Sequence, residues 1–197
     1  MDAPLVLGIA GSPRRNGNSE QLLDTCLAGA VEGGARVQKL VVTDYAIEAC
    51  RGCNSCSLTG ECVIRDRMRE IYAAIDSAQA IVVASPVFFA TVPGVLKVLF
   101  DRMQPYWART HVLKQPRPVR RPGAFLLVRS GGDPYGFVAA EYTIRSVFAV
   151  LGIDLVGEMK VTGVDSASDV NRHPDELDRA RELGAQVAAA ALLTPGD

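Results

Sequence analysis

The sequence predicts a doubly wound α/β fold, in which a five-stranded parallel sheet carries helices on both faces. Apolar runs of strand length, such as Leu5–Ala10, alternate with segments of helical periodicity along the whole chain. Continuous apolar runs are typical of strands that are buried on both faces. A chain of 197 residues with 48% hydrophobic residues can also fill the core of one such domain.

Each element follows from this alternation. We predict strands at 5–10, 37–42, 80–84, 124–129 and 153–161, and helices at 19–31, 66–76, 93–107, 136–151 and 174–193. Asn18 or Ser19 is expected to cap the first helix, and Pro93 to be the first residue of the third. Residues 1–197 are expected to form a single domain with a cysteine-rich loop at about 43–62.

Charge and hydropathy exclude several classes of protein. The net charge is -1 and the charged residues are interspersed, which argues against nucleic-acid binding. No apolar run approaches the roughly 18–20 residues that span a bilayer, and we expect no membrane association. The first residues lack the pattern of a signal peptide, so a cytoplasmic location is expected. The five cysteines are then expected to be free of disulfides.

The loop after the first strand has the composition of a phosphate site. It joins a buried strand to a helix N-terminus, where free N–H groups and the helix dipole favour an anion. The side chains expected to bind the phosphate are those of Ser12, Arg14, Asn16, Asn18 and Ser19. The loop lacks the Gly-Lys-Ser/Thr of a nucleoside-triphosphate site, the G-x-G-x-x-G of a dinucleotide site, and a nucleophilic cysteine. A monophosphate bound without a metal, such as that of FMN, remains.

Two further loops follow the third and fourth strands, and the carboxyl ends of strands are where such sheets bind ligands. In the second loop, Ser85, Pro86, Val87, Phe88 and Phe89 offer an apolar wall for an isoalloxazine ring. One of the two phenylalanines is expected to pack in the core instead. In the third loop, Ser130, Gly131 and Gly132 offer backbone donors for the polar edge of the ring.

These motifs together resemble the NADPH-dependent FMN reductase group of the flavodoxin-like superfamily. The resemblance rests on Gly11-Ser12-Pro13-Arg14-x-Asn16-Gly17-Asn18-Ser19, Ser85-Pro86-Val87-Phe88-Phe89 and Pro93-Gly94-x-x-Lys97-x-x-x-Asp101-Arg102. It implies a three-layer flavodoxin-like fold with strand order 2-1-3-4-5, bound FMN, electron transfer from NAD(P)H, and a homodimer or homotetramer. Phe88 departs from the tyrosine that the family often has, and Arg65 and Arg67 stand where relatives often carry acids.

The cysteines narrow the resemblance. Cys50, Cys53, Cys56 and Cys62 are similar in spacing to the cluster motif of iron–sulfur flavoproteins. The C-x-x-C-x-x-C spacing suits a [4Fe–4S] cluster. Four cysteines could also hold zinc, or stay reduced without a metal, and the spacing alone leaves these alternatives open. Cys26, on the apolar face of the first helix, is expected to be a buried structural thiol.

Three functions are compatible with these features. The first is an FMN-dependent oxidoreductase that transfers electrons from NAD(P)H to a small acceptor such as a quinone or a flavin. The second is an iron–sulfur flavoprotein that accepts electrons from ferredoxin. A third hypothesis is a structural or regulatory flavoprotein whose cysteines hold a structural metal and which has no catalytic turnover. Because the flavin carries the chemistry, no side chain is expected to act as a catalytic acid or base.

Overall fold

The computed structural model describes residues 3–194 and places five parallel strands in one sheet. The strands are β1 (Leu5–Ala10), β2 (Arg36–Val41), β3 (Ala80–Pro86), β4 (Arg121–Arg129) and β5 (Ile153–Thr162). Their order in the sheet is β2-β1-β3-β4-β5, with every neighbouring pair parallel. This is the flavodoxin-like order, so the predicted fold class and topology are confirmed.

Helices cover both faces of the sheet, as predicted. They are α1 (Asn18–Glu32), α2 (Cys56–Thr59), α3 (Met68–Ser77), α4 (Gly94–Asp101), α5 (Gln104–His111), α6 (Val138–Leu151) and α7 (Pro174–Leu192). Helices α1 and α7 share one core layer with the sheet, and α3, α4, α5 and α6 share the other. Cys26 is fully buried in the first layer, as predicted.

The predicted helix 93–107 is wrong in one respect, because it is two helices. Helix α4 ends at Asp101 and α5 begins at Gln104. Pro105 explains the break, since a proline in a continuous helix removes an N–H donor and clashes with the carbonyl four residues earlier, here that of Asp101. Pro93 lies just before α4 rather than inside it.

The start of α1 also differs from the prediction. Helix α1 begins at Asn18 with Gly17 as the flanking residue, and no side chain caps it. The remaining boundaries agree to within a few residues. The cysteine-rich segment is mostly irregular, as predicted, but contains a 3-10 turn at Val42–Asp44 and the single helical turn α2. Within residues 3–194, no helix has the length and apolar character needed to cross a membrane.

Candidate functional site

The loops that follow β1, β3, β4 and β5 meet at one edge of the sheet. Ala10 of β1 pairs with Ala84 of β3, and Val128 of β4 pairs with both Pro86 and Val161. The strands therefore end at the same level, and the three predicted loops lie side by side with a fourth, the segment after β5. The cysteine-rich segment leaves β2 at this edge too, since Val41 pairs with Ala10.

The first loop is shaped by its own hydrogen bonds. The Ser12 Oγ accepts the N–H of Arg14 at 3.0 Å. Asn16 has a left-handed φ of 53°, and its N–H donates to Glu20 Oε2 at 2.7 Å. Because no side chain caps α1, the first N–H groups of that helix are available to an anion in this loop.

Glu20 is buried in the first turn of α1, and cations offset its charge. Lys39 donates to Glu20 Oε1 at 3.1 Å, and Arg15 lies 3.8 Å from the same oxygen. Burial raises the pKa of Glu20, but the hydrogen bonds from the Asn16 N–H and from Lys39 outweigh it, so the net pKa is lowered. Glu20 therefore stays ionised and fixes the loop, while Lys39 and Arg15 limit its repulsion of an anion.

The segment after β5 covers the first loop, a feature that the sequence analysis missed. The Asn18 side chain donates to the Ser166 carbonyl at 3.0 Å and accepts the N–H of Val170 at 3.1 Å. Arg14 donates to the Asp165 carbonyl at 3.0 Å. The rule that binding sites lie beyond the carboxyl ends of the strands applies to β5 as well, and it could have pointed to this segment.

A cavity of about 150 Å³ lies among these loops. Of the predicted flavin-site residues, it is lined by Ser12, Arg14, Asn18, Ser19, Pro86, Val87, Phe88 and Ser130. The lining also includes residues that were not predicted: Gly17, Val128, Arg129, Val164 and Asp165. Five predicted residues lie outside this lining: Asn16, Ser85, Phe89, Gly131 and Gly132. Ser85 is fully buried, and its hydroxyl donates to the Pro86 carbonyl at 2.8 Å.

The second loop is a tight turn that points two aromatic side chains outward. The N–H of Phe88 donates to the Thr91 carbonyl at 2.8 Å, and the reverse hydrogen bond measures 3.2 Å. Phe89 and Ala90 between them both have positive φ, 47° and 68°, as a type I′ turn requires. Phe88 is 44% exposed and Phe89 fully exposed, so the prediction that one of them packs in the core is wrong. Val92 takes the buried position instead.

The third loop is held at its base by Arg129. Its guanidinium donates to the Asp133 carbonyl at 2.7 Å and lies 5.2 Å from the ring centroid of Phe137. Ser130, Gly131 and Gly132 are exposed at the edge of the sheet. Arg129 and Arg14 thus bring two positive charges to the lining of the cavity.

The four clustered cysteines line a second cavity of about 370 Å³. Cys50 and Cys53 are exposed, Cys62 is half-buried, and Cys56 is buried at the start of α2. The donor set fits a thiolate-bound metal or cluster, because four thiols face one space. Over residues 3–194, however, no three His, Cys, Asp or Glu side chains are close enough together to hold a metal ion. The structure therefore gathers the predicted ligands without bringing them to metal-binding geometry.

Local contacts shift the pKa values of these thiols in different directions. Burial raises the pKa of Cys56, and negative charge at Cys62, Cys50 and Cys53 raises it further. The Ser55 hydroxyl donates to the Cys53 sulfur at 3.4 Å and lowers the pKa of that thiol. Burial raises the pKa of Cys26, outside the cavity, to about 12. Cys53 is therefore a readier nucleophile than Cys56, and Cys26 is inert.

Several solved structures share this fold. A flavone reductase superposes with a TM-score of 0.72 at 18% identity, covering 98% of this chain and 66% of its own. An NAD(P)H:quinone oxidoreductase from Methanothermobacter marburgensis gives a TM-score of 0.68 at 19% identity, covering 93% and 96% of the two chains. At these identities the likeness shows the fold alone.

Sequence comparison is more specific. An iron–sulfur flavoprotein of Archaeoglobus fulgidus is 34% identical over 94% of this chain and 79% of its own length. An iron–sulfur flavoprotein of Methanocaldococcus jannaschii is 30% identical over 95% of this chain and 97% of its own. The sequence profile of the NADPH-dependent FMN reductase family matches residues 4–165, which span the sheet and both cavities. The chain belongs to the NADPH-dependent FMN reductase family.

Proposed function

We propose that this chain is an FMN-dependent oxidoreductase that also holds a [4Fe–4S] cluster on Cys50, Cys53, Cys56 and Cys62 and accepts electrons from ferredoxin. The observation that carries the proposal is that all four cysteines line one cavity, on a segment that leaves the sheet at the edge of the flavin loops. The resemblance to proteins named iron–sulfur flavoproteins supports it. When bound, FMN supplies reversible one- and two-electron chemistry and the cluster supplies one-electron chemistry.

The phosphate of FMN would be held in the first loop. Ser12, Ser19 and the free N–H groups at the start of α1 can donate to its oxygens, and Arg14 and Arg129 can balance its charge. The cavity is smaller than the roughly 300–1,000 Å³ of ordinary ligand pockets. It therefore suits the phosphate end of the flavin, and Asn18 would act by holding the covering segment in place.

The flavin ring would be held by the second and third loops. Pro86, Val87 and Phe88 offer apolar contact, and the backbone of Ser130, Gly131 and Gly132 offers hydrogen-bond donors. We infer that Asn16 and Ser85 act indirectly, because their hydrogen bonds shape the loops rather than face the cavity.

A second candidate function is an NAD(P)H oxidoreductase that reduces a small acceptor such as a quinone or a flavin. Exposed Phe89 and Phe88 favour it, because they leave an aromatic surface open to a flat ring at the edge of the flavin cavity. In this reading the cysteines carry zinc or no metal.

The cluster is tested by anaerobic purification with iron, sulfide and zinc analysis. We expect about four iron and four sulfide per chain in the wild type. Cys53→Ser and Cys56→Ser should each lose the iron and keep the flavin, whereas the matched control Cys26→Ser should keep both. Stoichiometric zinc, or iron that survives both substitutions, would contradict the assignment.

The electron donor is tested with the same protein. Reduced ferredoxin, NADPH and NADH are supplied in turn, and the bleaching of the flavin and cluster absorption is followed by stopped flow. We expect reduced ferredoxin to act at least tenfold faster than either nicotinamide. Faster reduction by NADPH or NADH, with turnover of a quinone or free flavin, would favour the second candidate.

Location and assembly follow as lesser proposals. We propose a cytoplasmic protein, because cysteines gathered at one cavity as metal ligands stay reduced in a reducing compartment. From the family we also expect a homodimer or homotetramer, which light scattering of the holoprotein can measure.

A further inference from the structure

Arg102 is a buried cation that lines the cysteine cavity. It follows α4, and only 1% of its side chain is exposed. The neighbouring Asp101 is exposed and pairs with Lys97 at 2.6 Å, so it does not neutralise Arg102. Burying a guanidinium costs free energy unless partners compensate for it. The buried charge of Arg102 therefore needs compensating partners.

Asp66 is the main partner and forms a bidentate ion pair with Arg102. Arg102 Nη1 lies 2.7 Å from Asp66 Oδ2, and Nη2 lies 3.1 Å from Oδ1. Asp66 also accepts the N–H groups of Glu48 at 2.8 Å and Met68 at 3.1 Å, while Arg102 donates to the Glu48 carbonyl at 2.8 Å. The pair therefore connects Glu48 and Asp66, which lie on either side of the four cysteines in the sequence, to the C-terminal end of α4.

One nitrogen of the guanidinium, Nε, makes no hydrogen bond within the described residues. Arg102 Nε is fully buried, and it has no hydrogen-bond partner among residues 3–194. A buried donor without a partner costs about 1–3 kcal/mol, more for a charged group, so the described protein groups compensate the guanidinium only in part. The four cysteines and Arg102 line the same cavity.

We propose that Arg102, oriented by Asp66, is the counter-charge of the cysteine site. It is a positioning residue: it stabilises negative charge on the thiolates and on whatever they hold, and sets how readily a bound cluster is reduced. The part that concerns the cluster rests on the proposed function. A cluster held by four thiolates becomes more negative on reduction, and nearby charge and hydrogen bonds to its sulfurs govern its potential.

The two members of the pair should therefore act with opposite sign. In Arg102→Gln the positive charge is lost while Asp66 stays ionised, because the backbone donors of Glu48 and Met68 remain. We expect the equilibrium constant for one-electron reduction of the cluster to fall about tenfold, a shift of about 59 mV to more negative potential. Asp66→Asn should shift the potential in the positive direction, and the double variant should return close to the wild type.

The measurement is an anaerobic spectroelectrochemical titration of the reconstituted holoprotein. Arg102→Lys, which keeps the charge, should stay within threefold of the wild type. The matched control is Arg109→Gln, because Arg109 is half-buried and bonds to the Gly60 carbonyl at 2.8 Å but does not line the cavity. Shifts of the same sign for Arg102→Gln and Asp66→Asn, or no shift for either, would overturn the proposal.

Cd²⁺ titration of the reduced, cluster-free protein separates this inference from the proposed function. Thiolate binding, followed by the ultraviolet sulfur-to-cadmium band, should weaken about tenfold in Arg102→Gln and strengthen in Asp66→Asn. If the wild type takes up no iron but Cd²⁺ affinity follows this order, the cluster assignment fails and the role of Arg102 stands. Equal Cd²⁺ affinities in folded, flavin-binding variants would refute the role of Arg102.

Discussion

Phe89 shows most directly how one residue can be placed against its own preferences. Its backbone lies in the left-handed region, with φ of 47°, and its side chain is fully exposed. A bulky residue held in such a conformation costs about 1–3 kcal/mol, and strain of this kind collects at functional sites. Since the ring buries no surface, nothing in the fold offsets that cost. This uncompensated strain indicates that the aromatic side chain serves to contact a ligand.

Phe89→Asn is expected to stabilise the protein and weaken its function. Asparagine tolerates positive φ, so the free energy of unfolding should rise by about 0.5–1 kcal/mol, measured by chemical denaturation of the flavin-free protein. The same substitution should slow flavin reduction in the stopped-flow assay. The control Val119→Asn alters an exposed apolar residue away from the flavin cavity and should leave the reduction rate unchanged. A less stable Phe89→Asn protein would show that the ring packs on the fold.

Helices α1 and α7 cross at a contact that only glycine permits. A Cβ on Gly184 would overlap the carbonyl oxygen of Cys26, and a Cβ on Gly29 would overlap that of Arg181. The two backbones therefore touch directly, which brings α7 close to the helix that begins at the phosphate loop. Packing far from the site thus helps to set the position of the α1 N-terminus.

Gly184→Ala is expected to destabilise the protein by about 3 kcal/mol, because an overpacked backbone contact must open. Thermal and chemical denaturation of the holoprotein give this value. The matched control is Gly94→Ala, where the added methyl group meets open space, and it should be neutral or about 0.5 kcal/mol more stable. A neutral Gly184→Ala would mean that the two helices separate at little cost.

The start of the cysteine segment contacts both the phosphate loop and the residue before α3. Arg15 of the phosphate loop bonds both carboxylate oxygens of Asp44 at 3.0 Å, and Arg67 donates to the Asp44 carbonyl at 2.8 Å. The start of the cysteine segment is therefore tied to the phosphate loop on one side and to α3 on the other. We infer that the chain unfolds as one cooperative unit that includes both sites.

FMN linkage tests that inference. At a free FMN concentration one hundred times its Kd, the free energy of unfolding should rise by about 2.7 kcal/mol, with near- and far-ultraviolet circular dichroism changing together.

Ser12→Ala should weaken FMN binding about fivefold, the loss of about 1 kcal/mol of hydrogen bonding, and leave riboflavin binding unchanged. Equal losses for FMN and riboflavin would contradict the phosphate assignment. Two separate transitions would contradict the single domain.

Much of this protein was determined by local sequence. The apolar run of β1 was predicted to the residue, because a buried parallel strand needs continuous apolar side chains. The four cysteines were recognisable by spacing, and residues of all three flavin loops line one cavity. In each case neighbours along the chain carry the signal, so periodicity and composition suffice.

Tertiary structure alone decided the rest. The outward turn of both phenylalanines and the cover from the segment after β5 depend on what packs beside each segment. Arg102 and Asp66 are 36 residues apart, and only the fold brings them together at the cysteine cavity. Sequence determines where strands, turns and donor groups occur, because those preferences are local. Which charges meet, and which stay unpaired, is decided by contacts between distant residues.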